Sequence, residues 1–316
     1  MAKYKVLVSA TYLQDDIKDY LGVFKKHNIE IDQPKVIEKL TEPELLKIIH
    51  LYNGIICGDD EITKPVINRA KNLKVIVKWG TGIDSIDSSY AKSKNIPVYR
   101  TTNAFTEPVA DQALAFILAL VRNIFKSQKL MHDNKWEKVH GTTLSEKTVG
   151  IIGFGNIGRA TAYRAQAFGS QILANDIKKI PSAIAKKYSA KMVSLPTLLK
   201  QSDIICVSCD LNPTSFHLLN KKQFEAMKPS TMVVNIARGP IIQEMALLWA
   251  LKNKKIAGAG LDVFEKEPLK NTHQLRKMDN VILSAHNANS SPKYWHRVHK
   301  NSIAMLINGL KKKRPV

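Results

Sequence analysis

Short apolar runs alternate with amphipathic stretches along nearly the whole chain. Residues 6–8 open as a strand, residues 16–27 have helical spacing, and Val36 and Ile37 read as an edge strand. A helix is predicted over 42–51, with Thr41 as N-cap and Pro43 in the first turn, where a missing N–H costs little. Residues 54–57 and 73–77 are short buried strands with a helix over 64–70 between them, and 96–99 is another strand. Parallel strands need crossover connections, so this alternation predicts βαβ units on a parallel sheet. A long apolar helix over 107–123 and a polar stretch over 126–138 follow. After Gly141 the rhythm restarts with strands at 148–152, 170–174, 203–207, 231–235, 258–262 and 281–284. Six strands with helical spacers match one doubly wound cofactor domain. Residues 292–310 form a final amphipathic helix. With no repeat and no low-complexity linker, the expectation is two α/β halves packed around a cleft.

Composition narrows the class. The chain has 316 residues, 44% of them hydrophobic, which suits about two folded domains and excludes a disordered chain. Its longest apolar run, residues 113–121, falls well short of the ~18 residues of a membrane span, so no membrane role is expected. The N-terminus runs into a strand without a signal-peptide core. Three cysteines (Cys57, Cys206, Cys209) argue against a disulfide scaffold, and a cytoplasmic setting is expected. The net charge of +21 comes from 39 Lys and 9 Arg spread along the chain, clustered only at residues 311–314. Arginine forks and interleaved aromatics, the usual marks of nucleic-acid recognition, are missing, so no nucleic-acid partner is expected.

Two constellations carry chemistry. Gly153-Phe154-Gly155-Asn156-Ile157-Gly158 follows a predicted strand and opens a helix, with Asp176 18 positions beyond Gly158 at the end of the next strand. In that context the glycines permit a tight turn and close approach of a pyrophosphate to free N–H groups at a helix N-terminus. Asp176 would bind ribose hydroxyls and repel a 2′-phosphate, favouring NAD over NADP; Lys178 and Lys179 beside it leave that preference open. The second constellation is Arg238, Glu267 and His286, each just beyond a strand end, where ligands of open α/β sheets sit. A guanidinium can fork onto a carboxylate, a histidine can exchange a hydroxyl proton, and a carboxylate can fix the imidazole tautomer.

Arg238, Glu267 and His286 in this order, downstream of the glycine fingerprint, resemble the D-isomer-specific 2-hydroxyacid dehydrogenase family, which includes phosphoglycerate dehydrogenase. The resemblance covers essentially the whole chain, including 73–87 with Gly80-Thr81-Gly82, 103–111, 235–239 and 260–268. It implies two Rossmann-like domains: a discontinuous substrate domain (1–100 plus 290–316) and an NAD-binding domain (101–289). It also implies hydride transfer between NAD and a small-molecule D-2-hydroxy or 2-oxo acid, in a homodimer. On this resemblance Arg238 binds the substrate carboxylate and carbonyl, His286 is the acid/base and Glu267 its partner. Asp262 holds the nicotinamide carboxamide, Ala237 lies at the cofactor, and backbone groups of Thr81 and Gly82 hold the carboxylate.

Departures bear on the substrate. Where phosphoglycerate dehydrogenases commonly carry a phosphate-binding arginine, this chain has Asp59-Asp60-Glu61, which leaves Lys78 as the nearby cation. The chain ending at Val316 leads us to expect no serine-sensing regulatory domain. After His286 come Asn287 and Asn289, candidates for polar contacts. The specific acid, with 3-phosphoglycerate among the candidates, stays open. An alternative is a non-catalytic, dinucleotide-sensing corepressor-like protein of the same family. Cys206 and Cys209 form a CxxC on a strand, without further ligands for zinc, and suit packing or an adenine pocket. Trp136 and His140 are read as surface or packing residues, His296 and His299 as a solvated or cleft-edge face of the last helix, and Asp84 and Asp87 as caps of a helix over 88–93.

Overall fold

The computed structural model describes residues 3–311; of the C-terminal basic cluster, Lys312, Lys313 and Arg314 lie outside the described residues. The chain divides into two compact units, Met1–Phe105 with Ser291–Val316, and Thr106–Ser290.

The first unit carries a five-stranded sheet: β1 (Tyr4–Val8), β2 (Ile29–Asp32), β3 (Gly54–Cys57), β4 (Val75–Lys78) and β5 (Val98–Arg100), in the order β2-β1-β3-β4-β5. Every pairing is parallel, with Ile55 opposite Ile76 and Lys78 opposite Arg100. β3 and β4 are buried at every position, as strands covered on both faces must be. The helix Pro292–Lys311 seals one face. A Cβ on Gly309 would lie 2.4 Å from Val75, and one on Gly54 2.9 Å from Leu306, so glycine on both sides lets the helix seat this closely. The helix Glu42–Ile48 starts as expected: the Thr41 N–H donates to Glu44 Oε2 at 2.8 Å.

The second unit carries seven parallel strands: β6 (Thr148–Ile152), β7 (Gln171–Asn175), β8 (Ala190–Met192), β9 (Ile204–Val207), β10 (Met232–Asn235), β11 (Gly258–Leu261) and β12 (Val281–Leu283). Their order is β12-β11-β10-β9-β6-β7-β8, so the winding reverses between β6 and β9, the place where doubly wound sheets bind ligands. The helix Thr106–Val121 buries Val109, Ala113, Phe116, Ile117 and Leu120. Among the described residues no single helix is long and apolar enough to cross a membrane.

Three expectations are corrected. The edge strand is β2 at Ile29–Asp32, whereas Val36 and Ile37 are irregular and Ile37 is 85% exposed. The second sheet has a seventh strand, β8, three residues long and half-exposed at Ala190 and Met192, too short and too polar to stand out as an apolar run. Residues 16–27 also break into a 3₁₀ turn, Ile17–Tyr20, and a helix, Leu21–Lys26.

Candidate active site

In the second unit the glycine loop follows β6 at the winding reversal. Gly153 has φ +89°, and a Cβ there would lie 2.5 Å from the Cys209 backbone. Gly155 caps the helix Asn156–Ala167, and a Cβ there would meet nothing within 4 Å, so space lies open before the first turn. At Gly158 a Cβ would come within 2.1 Å of the Gly153 carbonyl, so this glycine lets helix and loop touch. Turn, approach and packing are the three demands a pyrophosphate site makes of its glycines, and the helix supplies free N–H groups and the positive end of its dipole. Half-buried Ile157 lies in that first turn. Asp176, one residue past β7, accepts the Phe154 and Lys178 N–H groups, both at 2.8 Å, so the acid is tied to the fingerprint turn. Arg159 was not singled out from the sequence, although it directly follows Gly158. Its guanidinium folds back onto Gly155 O (3.0 Å) and Asn156 Oδ1 (2.6 Å), placing a cation at the loop. Open space, helix N-terminus, acid and cation fit a dinucleotide.

At the carboxyl ends of β10, β11 and β12 the second constellation assembles. After β10, Asn235 accepts the Ala237 N–H (3.1 Å) and donates to Arg238 O (3.0 Å), which fixes the turn; Arg238 Nη1 donates to Ala237 O at 2.9 Å. Ala237 and Arg238 are half-buried. A Cβ on Gly239 would fall 1.9 Å from the Phe264 carbonyl, so only glycine lets this turn lie against the segment leading to Glu267. Glu267 Oε1 accepts the Phe264 N–H at 2.9 Å, and Oε2 lies 2.9 Å from His286 Nδ1. Imidazole and carboxylate are each 21% exposed. A carboxylate on Nδ1 fixes the ring so that its Nε2 edge faces the opposite way.

His286 has a left-handed backbone (φ +47°), an uncommon conformation for a non-glycine residue. Asp262 holds it. The Asp262 carbonyl accepts the His286 N–H at 2.7 Å. Its carboxylate accepts the N–H groups of Asn287 and Ala288, each at 2.9 Å, and the Ser284 hydroxyl. The resemblance gave Asp262 a cofactor contact. In the structure it is 1% exposed, with both carboxylate oxygens engaged by the loop that carries His286.

In the first unit, Trp79-Gly80-Thr81-Gly82 leaves the end of β4. Gly80 has φ +118° and its carbonyl accepts the Thr101 N–H (2.9 Å); Thr81 Oγ1 donates to Thr101 O (3.0 Å), and Arg100 Nη1 to Thr81 O (3.0 Å). Buried Trp79 donates its indole N–H to His299 Nδ1 (2.8 Å), and His299 Nε2 lies 3.1 Å from Asp16 Oδ2. Indole nitrogen only donates, so His299 carries its proton on Nε2 and is neutral; its full side-chain burial lowers its pKa, despite the Asp16 carboxylate. His299 is therefore a core residue beneath this loop, which corrects its expected place on a solvated or cleft-edge face.

Lys78 needs correction as a substrate cation. It is 3% exposed, donates to Gly58 O at 2.6 Å and pairs with Asp59 Oδ1 at 2.7 Å, so its charge is neutralised inside the fold. The neighbouring acids are likewise engaged. Asp60 is fully buried, accepts the Ser9 hydroxyl (2.8 Å) and Leu40 N–H (2.7 Å), and burial pushes its carboxyl up. Glu61 pairs with Lys39 at 2.8 Å. In the CxxC, Cys206 is buried in β9 with its thiol raised to about 12 by burial, and Cys209, beyond the strand end and against Gly153, is raised to about 11.

A doubly wound domain with a glycine loop and acid at its winding reversal, and a carboxylate–histidine pair beside an arginine at neighbouring strand ends, defines an oxidoreductase that uses a nicotinamide dinucleotide. Residues 114–288 match the D-isomer specific 2-hydroxyacid dehydrogenase, NAD binding domain. The chain is 36% identical over 317 residues to the hydroxypyruvate reductase of Thermotoga maritima, covering 98% of this chain and 99% of that one. It is 36% identical over 279 residues to the glyoxylate reductase of Thermofilum pendens, covering 86% and 82%. The solved D-lactate dehydrogenase of Aquifex aeolicus, complexed with NAD and lactic acid, superposes with a TM-score of 0.85 at 26% identity, covering 95% of this chain and 93% of that one. The chain belongs to the D-isomer-specific 2-hydroxyacid dehydrogenase family, and it is an NAD-dependent enzyme of 2-hydroxy acids.

Proposed function

We propose that this enzyme reduces a small, unphosphorylated 2-oxo acid to the D-2-hydroxy acid, with His286 as the proton donor. The observation that carries the reading is the 2.9 Å contact between His286 Nδ1 and Glu267. Glu267 stabilises the imidazolium and directs its Nε2 proton to the carbonyl oxygen of the substrate. Arg238 forks onto the substrate carboxylate and draws charge from the carbonyl. On the family resemblance, backbone groups of Thr81 and Gly82 in the first unit also hold substrate carboxylate. Bound NADH supplies the hydride. Asp176 holds the adenosine ribose, and Arg159 adds positive charge at the pyrophosphate. Preference for an unphosphorylated acid rests on the neutralised Lys78, which offers no charge to a phosphate. It also accords with the hydroxypyruvate and glyoxylate reductases among the relatives.

NADH oxidation against a panel of 2-oxo acids tests this. Hydroxypyruvate or glyoxylate should turn over at least ~10-fold better in kcat/KM than 3-phosphohydroxypyruvate, and His286→Ala should cut turnover by ~10² or more while NADH still binds. Preference for the phosphorylated acid, or wild-type turnover in the variant, would refute the assignment. NADH binding without turnover of any acid would favour the corepressor-like alternative. We further infer a cytoplasmic homodimer. Support comes from three free thiols and from Ile124, Phe125 and Met131 on the helix Ile124–His132, each more than half exposed, with Trp136 beyond them.

A further inference from the structure

We propose that Arg100 is a positioning residue for the substrate carboxylate, acting through the peptide that joins Thr81 to Gly82. Arg100 ends β5 and pairs in register with Lys78, the last residue of β4, so the two cations stand side by side at the carboxyl edge of the first sheet. Their fates differ. Lys78 is buried against Asp59, whereas Arg100 is exposed and, among the described residues, forms no ion pair. What Arg100 does contact is the carbonyl of Thr81, at 3.0 Å.

That contact has a direction. The Thr81–Gly82 bond is trans, since among the described residues only Glu267–Pro268 is cis, and in a trans peptide C=O and N–H point opposite ways. A guanidinium on the Thr81 carbonyl therefore lies behind this peptide and turns the Gly82 N–H to the other side. It also polarises the amide, because a charged donor on a carbonyl makes the attached N–H a stronger donor. Two further bonds leave the peptide little freedom to rotate away: Thr81 Oγ1 to Thr101 O and Thr101 N–H to Gly80 O. Consecutive residues of one strand end, Arg100 and Thr101, thus grip Thr81 through its carbonyl and its hydroxyl. Anchorage alone needs no cation on a carbonyl that water could satisfy. A cation there raises the affinity of the N–H for an anion.

This inference rests on the reading that the Thr81–Gly82 backbone receives the carboxylate. The test uses the full chain as wild type, Arg100→Gln and Arg100→Lys, with hydroxypyruvate as substrate, oxamate as carboxylate inhibitor and pyruvamide as uncharged analogue. In Arg100→Gln, KM for hydroxypyruvate and Ki for oxamate should rise together by about tenfold, with kcat within about twofold and NADH affinity unchanged. Pyruvamide binding should move little, and Arg100→Lys should recover part of the loss. Unchanged KM and Ki would overturn the proposal. An equal loss for pyruvamide would also overturn it, since that is the mark of a loosened loop. If wild type turned over no 2-oxo acid, the underlying reading would fall first and this inference with it.

Discussion

At the scale of single residues, Asp262 decides whether His286 is usable. A left-handed histidine persists only where its surroundings over-determine it, and Asp262 supplies four acceptor contacts from one buried residue. Asp262→Asn keeps the shape but turns N–H groups toward donors, which leaves buried donors unsatisfied at about 1–3 kcal/mol. The expected outcome is a melting temperature lowered by several degrees and a turnover loss of ~10-fold or more, with NADH affinity within about twofold. Calorimetry and NADH fluorescence titration read these. A large loss of NADH affinity with unchanged stability would return Asp262 to the cofactor. The sequence marked Glu267 and His286 because each lies beyond a strand end, and Asp262 only through the family resemblance. It could not show which side of Asp262 is filled, since its partners lie 22 to 26 positions downstream. Lys78 misled for the same reason: its type and place suited a phosphate, and only folding brings Asp59 onto it.

Among elements, the strand ends divide the work. Carboxyl ends carry the site chemistry, while amino ends hold the sheet together, as Asp203 shows. It precedes β9, accepts the Thr148 N–H at the start of β6 (2.9 Å) and pairs with Lys228 ahead of β10 (2.8 Å). Burial raises its carboxyl, but the Lys228 and Thr148 bonds outweigh this and lower its pKa. The folded protein then holds this proton less tightly than the unfolded chain. The stabilisation is complete above the unfolded carboxyl value of about 3.9 and is lost as pH falls through the lower folded value. Asp203→Asn should cost about 1 kcal/mol at pH 7, and the gap from wild type should narrow progressively as pH falls below about 3.9; urea melts at a series of pH values from 7 down to the most acid at which the protein stays folded check this. A gap that persisted in acid would refute the electrostatic account. The buried central strands were legible as Val/Ile-rich runs. β2 and β8 were not, because edge strands keep polar, exposed positions and gain their register from a distant partner.

For the whole molecule, alternating strands and helices were enough to anticipate two doubly wound parallel sheets, because that pattern has few other solutions. The sequence could not give the division at Phe105 and Ser291 to the residue, since contacts and not composition set it. The homodimer is checked by light scattering. Wild type should have twice the monomer mass, and Phe125→Glu with Met131→Glu should shift it toward monomer, whereas a monomeric wild type would refute it.

The close seating of the helix Pro292–Lys311 on β3 and β4 also sets an order in time. Its glycine-to-valine contact at Gly309 and Val75 joins residues that leave the ribosome far apart. At ordinary rates, roughly 10–40 s of synthesis separates Phe105 from Ser291. By the end of that interval the second unit, whose chain is continuous, has emerged whole and can complete its own core without waiting for the last helix. The first unit meanwhile has all five of its strands and an uncovered apolar face, and a nascent-chain chaperone would find its footing there.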